Sequence, residues 1–237
     1  MSEKPWVVTV DGPAGAGKST LARLLAAKLG YLYLDTGAMY RAVAWAALRR
    51  GIGPEDETAV EELLQELKAT LTLVPAKDGR CRVKVEGRDV TAQLRSPEVT
   101  RAAPLFAQMP QVRKTLTEWQ RAWGEKGGVV ADGRDMGTQV FPWAQRKFFV
   151  TASPHERARR RYRQLRRQGF AVTFDEVLKE VLERDRQDEN RELAPLKPAP
   201  DAILVDTTGA KVQETVRRMW SYFPRHVPRG VAGGRRP

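Results

Sequence analysis

The sequence predicts an α/β fold in three layers: a five-stranded parallel sheet between helices, with a small antiparallel β insert. Two patterns carry that prediction. Five short apolar runs, Trp6–Val10, Tyr31–Leu34, Val129–Asp132, Lys147–Thr151 and Ala202–Asp206, alternate with stretches of helical period. Between Thr70 and Val90 the period changes to alternation: Leu71, Leu73, Cys81, Val83 and Val85 are apolar, and Asp78-Gly79 and Glu86-Gly87 supply turns. Ligands of open parallel sheets bind outside the carboxyl ends of the strands, so the residues after each strand are the first place to look for chemistry.

After the first strand comes Gly12-Pro13-Ala14-Gly15-Ala16-Gly17-Lys18-Ser19-Thr20, and then a helical pattern over Leu21–Leu29. Strand, glycine-rich turn and helix are the context a G-x-x-x-x-G-K-[S/T] match requires, which makes this a P-loop and the fold a P-loop three-layer fold. Glycines let backbone N–H groups approach phosphate oxygens, and the helix N-terminus adds partial positive charge. Lys18 suits the outer phosphates of a nucleoside triphosphate, and the Ser19 hydroxyl suits Mg²⁺.

The short return to Tyr31–Leu34 implies a parallel strand reached by a right-handed crossover. A helix follows through Ala42–Leu48, stopped by Gly51 and Gly53-Pro54, and another spans Glu55–Lys68 on Val60, Leu63, Leu64 and Leu67. Beyond the insert lie a short helix after Ser96-Pro97 and a longer one over Val112–Glu125, ended by Gly127-Gly128. Ser153-Pro154 caps an arginine-rich helix over His155–Gln168, broken at Gly169-Phe170. Phe174–Asn190 is helical, Pro195, Pro198 and Pro200 mark a linker, and Val212–Phe223 is the last helix. The arginine- and glycine-rich tail from Pro224 is expected to be disordered.

Composition narrows the function classes. The chain has 237 residues, 41% of them apolar, which suffices for one large domain with an insert. No apolar run approaches 18 residues, so no membrane partner is expected, and Met1–Pro5 leads straight into a strand with no room for a signal peptide. Cys81 is the only cysteine, which excludes an internal disulfide and a cysteine metal cluster. A cytoplasmic monomer is the expectation. The net charge of +12 points to polyanionic partners: nucleic acid, an anionic surface or phosphorylated small molecules.

Three further segments bear charge in suggestive places. Asp35-Thr36-Gly37-x-x-Tyr40-Arg41 reads equally as a second anion site or as a capped helix start with a surface arginine. Asp132-Gly133-Arg134-Asp135 puts three charges at the end of a buried-type strand, where each ion needs a partner, and Asp132 is placed to hold Mg²⁺ through water. Arg184, Asp188 and Arg191 share one helix face at i, i+4 and i+7, either over a ligand or as a solvated helix end. The run Arg157–Arg167 reads as a solvated basic helix or as a mobile lid over transferring phosphates. Only Tyr162 interleaves with it, and no nucleic-acid-binding motif accompanies it, so no nucleic-acid partner is expected.

Taken together, D-G-P-A-G-A-G-K-S-T, L-D-T-G-A-M-Y-R, A-D-G-R-D-M-G-T-x-V-F-P and E-R-D-x-x-D-x-N-R, in this order and spacing, resemble bacterial cytidylate kinases, a branch of the nucleoside-monophosphate kinase family. The resemblance covers about residues 5–222. It implies a core of 5–35, 128–154 and 171–222, a monophosphate-binding region with its β insert over about 36–127, and a lid over about 155–170, with the 224–237 tail outside. It implies transfer of the γ-phosphoryl group of ATP to CMP or dCMP, with Mg²⁺. Gly12–Thr20 would bind ATP, Lys18 would stabilise the transferring phosphoryl group, and Ser19 or Thr20 would lie near the metal. Arg41, Arg134, Arg184 and Arg191 would grip the monophosphate. Arg113 and Asp135 would read the cytosine edge, Asp188 the sugar hydroxyls, and Thr36 would sit beside the acceptor. Arg157 and Arg161 are the lid candidates. One departure stands out: a base-contacting serine of the family falls at Pro104, which offers neither hydroxyl nor N–H.

Two rival readings are a kinase for another acceptor, such as UMP or shikimate, and a P-loop GTPase or nucleic-acid-dependent ATPase. The second lacks its sequence support. No N-K-x-D motif is present, and Asp132-Gly133 replaces the acidic pair expected after a long apolar strand.

Overall fold

A computed structural model describes residues 4–76 and 79–229. In chain order its elements are β1 (Val7–Asp11), α1 (Lys18–Leu29), β2 (Leu32–Asp35), α2 (Thr36–Arg49), α3 (Glu57–Thr70), β3 (Thr72–Pro75), β4 (Cys81–Val85) and β5 (Arg88–Asp89). They continue with α4 (Pro97–Phe106), α5 (Pro110–Gly124), β6 (Val129–Gly133), a π turn (Met136–Val140), β7 (Arg146–Thr151), α6 (Pro154–Arg167), α7 (Phe174–Asn190), β8 (Ile203–Asp206) and α8 (Val212–Trp220). The α/β class, the parallel sheet and the antiparallel insert are as the sequence predicts.

The main sheet has the order β2-β6-β1-β7-β8, with every pair parallel. β1 and β2 are parallel but not neighbours, because β6 lies between them. The two central strands, β1 and β6, are buried along their whole length, which explains their unbroken apolar composition. Register sets the level of their ends: Asp35 pairs with Asp132, Val10 with Asp132, and Asp11 with Gly133. Three carboxylates thus finish at one edge of the sheet, directly under the glycine loop.

The insert is a separate three-stranded sheet, β3-β4-β5. Its β4–β5 hairpin turns through Glu86 at φ 51° and Gly87 at φ 77°, two consecutive left-handed residues that reverse the chain tightly. Leu73, Val83 and Val85 bury one face of it within the main core.

Helices α6 and α7 share a second, smaller apolar cluster of Ala158, Leu165, Val177 and Val181. The arginine-rich helix is therefore paired with the first half of α7 rather than standing alone. Along α7 the apolar stripe is carried by Val177, Val181 and the partly buried Leu178, whereas Leu182 is exposed.

Element ends differ from the sequence reading in physically simple ways. Trp6 lies outside β1 and stacks on Phe223, with ring centroids 6.0 Å apart. α3 starts at Glu57 rather than Glu55, capped by Asp56, whose carboxylate accepts the Ala59 N–H at 3.0 Å. The tail, expected to be disordered from Pro224, is instead laid against the body as far as it is described. Val227 packs on the core, and the Tyr31 hydroxyl donates to the Pro228 carbonyl at 2.5 Å. Residues 230–237 of that tail lie outside the described residues.

Gly12 ends β1 at φ 141°, and a Cβ there would stand 1.9 Å from the Val150 carbonyl oxygen on the neighbouring β7. Backbone cannot yield as a side chain can. Gly12→Ala is expected to lower stability by about 3 kcal/mol or more, read as a drop in thermal midpoint, whether or not nucleotide is added.

Candidate active site

The loop between β1 and α1 takes its shape from glycines. Gly15 at φ 78° and Gly17 at φ 95° occupy left-handed backbone, and Gly17 caps α1. The N–H groups of the first turn of α1 have no side-chain cap, the condition of a helix start suited to anions. Lys18 is buried there and its Nζ donates to the Pro13 carbonyl at 2.7 Å. Burial, and next the Arg134 guanidinium, push its ammonium well below the ordinary lysine range. A polyphosphate laid in the loop would reverse that penalty by supplying the missing negative charge.

Beside the loop, the Asp132 carboxylate accepts hydrogen bonds from Ser19 Oγ at 2.7 Å and the Tyr33 hydroxyl at 3.0 Å. Its pKa is pushed up to about 6, first by burial and then by the neighbouring Asp35. A buried carboxylate and a hydroxyl are hard oxygen donors. Mg²⁺ uses few protein carboxylates and takes its remaining ligands from phosphates and water, so this pair fits it. Among the described residues no group of three or more His, Cys, Asp or Glu side chains forms a metal cage.

The end of β6 and the π turn after it are fastened from beneath. The Asp11 carboxylate accepts the Met136 N–H at 2.9 Å and the Gly137 N–H at 2.7 Å. This fixes where Arg134 and Asp135 emerge. Asp135 pairs with Arg113, both buried, and Arg113 also donates to the Ala107 carbonyl at 3.2 Å. Arg134 Nε donates to Asp188 at 2.7 Å. Asp35 caps α2 by accepting the Ala38 N–H at 2.8 Å and pairs with Arg41 at 3.3 Å. The Thr36 hydroxyl donates to the Asp132 carbonyl oxygen at 2.6 Å, tying α2 to β6.

Arg184 and Arg191 complete the ring of charge. Arg191 Nε donates to the Ala194 carbonyl at 2.7 Å, and its Nη1 lies 3.9 Å from Asp188. Arg184 has no ion pair among the described residues, and burial and the adjacent Arg134 push its guanidinium down to about 10. Buried N–H groups of Arg41 (Nε), Arg184 (Nε) and Arg191 (Nη2) have no hydrogen-bond partner among the described residues. A buried donor left without an acceptor costs free energy that a hydrogen-bond acceptor brought to it would recover.

These residues line one cleft of about 660 Å³. Lys18, Ser19, Thr20, Thr36, Arg41, Arg113, Asp132, Arg134, Asp135, Arg184, Asp188 and Arg191 all reach it, as do Ala14, Gly15 and Gly17 of the loop. Gly12, Pro13 and Ala16 shape the loop from behind. Pro104 also lines the cleft, inside α4.

The two lid candidates separate. Arg161 lines the cleft, but Arg157 points inward and is buried. Its guanidinium forms a two-bond pair with Asp185, at 2.8 and 2.5 Å, and also donates to the carbonyls of Ala152 and Ala14. As placed, it clamps α6 to α7 and to the glycine loop. The sequence reading missed Arg160, one residue from Arg161, which reaches the cleft while donating to the Thr207 carbonyl at 2.6 Å. It also missed Asp11 and the rim residues Arg80 and Cys81 from the insert. The local arginine spacing signalled the first; nothing local signalled the others. Burial pushes the Cys81 thiol up to about 12, so it is chemically quiet.

A P-loop over a parallel sheet, facing a second anion site across one cleft, defines a P-loop phosphotransferase. Comparison with known proteins narrows the class. The cytidylate kinase family model matches residues 8–225. A cytidylate kinase of Carboxydothermus hydrogenoformans is 50% identical over 212 residues, covering 90% of this chain and 94% of that protein. One from Pasteurella multocida is 46% identical over 221 residues, covering 93% and 96%. A crystal structure of an uncharacterized protein from Eubacterium ventriosum shares the fold, with a TM-score of 0.50 at 12% identity over 92% of this chain and 97% of that one. The chain belongs to the cytidylate kinase family. No helix among the described residues is long and apolar enough to cross a membrane.

Asp11 gives this site a pH signature. Burial, and to a smaller extent Asp135, push its carboxyl up from 3.8 to about 7, against the two N–H bonds that lower it. A raised native pKa means that the folded protein holds a proton the unfolded chain has released. Stability therefore falls as pH rises from about 4 to about 7. Denaturant unfolding of the ligand-free protein across that window should show the decline, and Asp11→Asn, which cannot ionise, should make it shallower.

Proposed function

We propose a division of labour among the cleft residues in which one end holds ATP and the other a pyrimidine monophosphate. The protein transfers the γ-phosphoryl group of ATP to CMP or dCMP, giving CDP or dCDP and ADP. The observation that supports this assignment best is that Arg41, Arg184 and Arg191, each with a buried guanidinium N–H that has no hydrogen-bond partner among the described residues, line the same cleft as Lys18 of the P-loop.

Gly12–Thr20 holds the ATP phosphates through backbone N–H groups, and Lys18 follows the charge that develops on the transferring group. Ser19, with Asp132 through water, holds Mg²⁺, which when bound neutralises phosphate charge. Arg41, Arg134, Arg184 and Arg191 hold the acceptor phosphate, with Thr36 beside it. An oxygen of that phosphate attacks the γ-phosphorus, and the bond to the bridging oxygen of ADP breaks. The acceptor is already an anion at neutral pH, so the residues need only orient it and offset repulsion; no strong base is required. Arg134 must leave Asp188 or share it when phosphate arrives, which frees the Asp188 carboxylate toward the sugar hydroxyls. Arg113 and Asp135 meet the cytosine edge.

The 36–127 region with its insert forms the acceptor side. The 155–170 helix acts as the lid, presenting Arg161 and Arg160 while Arg157 anchors it. Closure over the phosphates would exclude water and so suppress hydrolysis of ATP. A monomer suffices for this arrangement, and the cytoplasm supplies its substrates.

Purified protein with ATP and Mg²⁺ should form ADP with CMP and dCMP well above UMP, AMP or shikimate. Equal turnover with UMP would move base discrimination away from Arg113 and Asp135. No turnover with any acceptor, together with nucleic-acid-stimulated ATPase activity, would replace this reading with the nucleic-acid one. Lys18→Ala should fold normally and lose roughly 10³-fold or more in kcat; near-wild-type kcat would remove Lys18 from its assigned role.

A further inference from the structure

Helix α4 carries a proline in its interior. Pro104 sits eight residues into the ten of Pro97–Phe106, and the helix continues through it. Proline has no N–H, so the Thr100 carbonyl, four residues earlier, loses its ordinary helical donor, and the ring pushes that oxygen outward. Where such an oxygen faces decides whether it matters. Helix carbonyls point toward the C-terminus, so the oxygen of Thr100 is directed at position 104, and Thr100, Ala103, Pro104 and Ala107 all line the cleft. The same face is tied to the base-reading pair one turn on, because Arg113 donates to the Ala107 carbonyl at 3.2 Å and pairs with Asp135.

We propose that the Thr100 carbonyl, freed by Pro104, is a base-selecting acceptor that favours a pyrimidine bearing an exocyclic amino group over one bearing an oxo group. The inference rests on the reading of this cleft as a pyrimidine-monophosphate site. The 4-amino group of cytosine donates hydrogen bonds, whereas the 4-oxygen of uracil accepts them. An unpaired acceptor gains a bond from the first and meets lone-pair repulsion from the second. A hydroxyl at position 104 would be less selective, since it turns to donate or accept. A carbonyl cannot. In this chain the backbone thus takes on discrimination that a side chain at position 104 would otherwise supply.

The test compares kcat/KM for CMP and for UMP in the full-length protein and in two variants, Pro104→Ala and Pro104→Val. Both restore the N–H that occupies the Thr100 carbonyl, and Val keeps a volume close to that of proline. Both replace the poorest helix former, so folding is expected to be kept, with a thermal midpoint equal to or above that of the parent. The expected result is a fall of about tenfold in the CMP-to-UMP ratio in both variants, carried mainly by KM for CMP. An unchanged ratio in both would overturn the proposal. A fall in the alanine variant alone would also overturn it, by assigning the effect to lost ring packing. Failure of the underlying reading looks different: the unaltered protein would then phosphorylate neither CMP nor dCMP, and the proposal would fall with it.

Discussion

The structure is governed by the cost of bringing cationic groups together out of water. Lys18, Arg41, Arg113, Arg134, Arg184 and Arg191 converge on one cleft, and the carboxylates among them are too few to leave each cation with a partner of its own. Asp35, Asp135 and Asp188 hold guanidiniums in place, while Arg184 faces the cleft without an ion pair among the described residues. Depressed pKa values at Lys18 and Arg184 express the same imbalance, burial first and the Arg134 charge second. An anionic ligand bound there would offset this penalty, so binding and stability would be linked.

Holding such groups at fixed positions requires hydrogen bonds that tie the elements around the cleft to one another. Asp11 lies beneath the π turn and sets the exit of Arg134 and Asp135 through two backbone hydrogen bonds. Thr36 ties α2 to β6. Arg157 ties α6 to α7 through Asp185, and to the glycine loop through Ala14. These links join the phosphate loop, the acceptor side and the arginine helix into one network around the cleft. A movement of α6 would have to carry the first half of α7 with it, since the two share their own apolar cluster.

Pro104 breaks a local rule of helix formation. A proline within a helix weakens it, and this one lies among the residues of its helix that line the cleft. The Arg113–Asp135 pair lines the same cleft, with Arg113 held to this segment through the Ala107 carbonyl. On the proposed reading, the Thr100 carbonyl would add a fixed acceptor beside that pair.

By itself the sequence determined the α/β class, the strands, the antiparallel insert and the phosphate loop. Each of these is written in local periodicity or in residues a few positions apart, and the same holds for the Arg184–Asp188–Arg191 face of one helix. The tertiary structure decided what depends on partners far along the chain. It placed β6 between β1 and β2, a choice of neighbours that strand patterns do not encode. It turned Arg157 inward because Asp185, 28 residues later, meets it there, while Arg160 and Arg161 from the same run face the cleft. It drew Asp11 to backbone groups 125 and 126 residues away, and fastened the tail through Pro228 to Tyr31, 197 residues before it. Charge and spacing name the candidates for a phosphate site. Only packing determines which of them keep a free hydrogen-bond donor once the chain is folded.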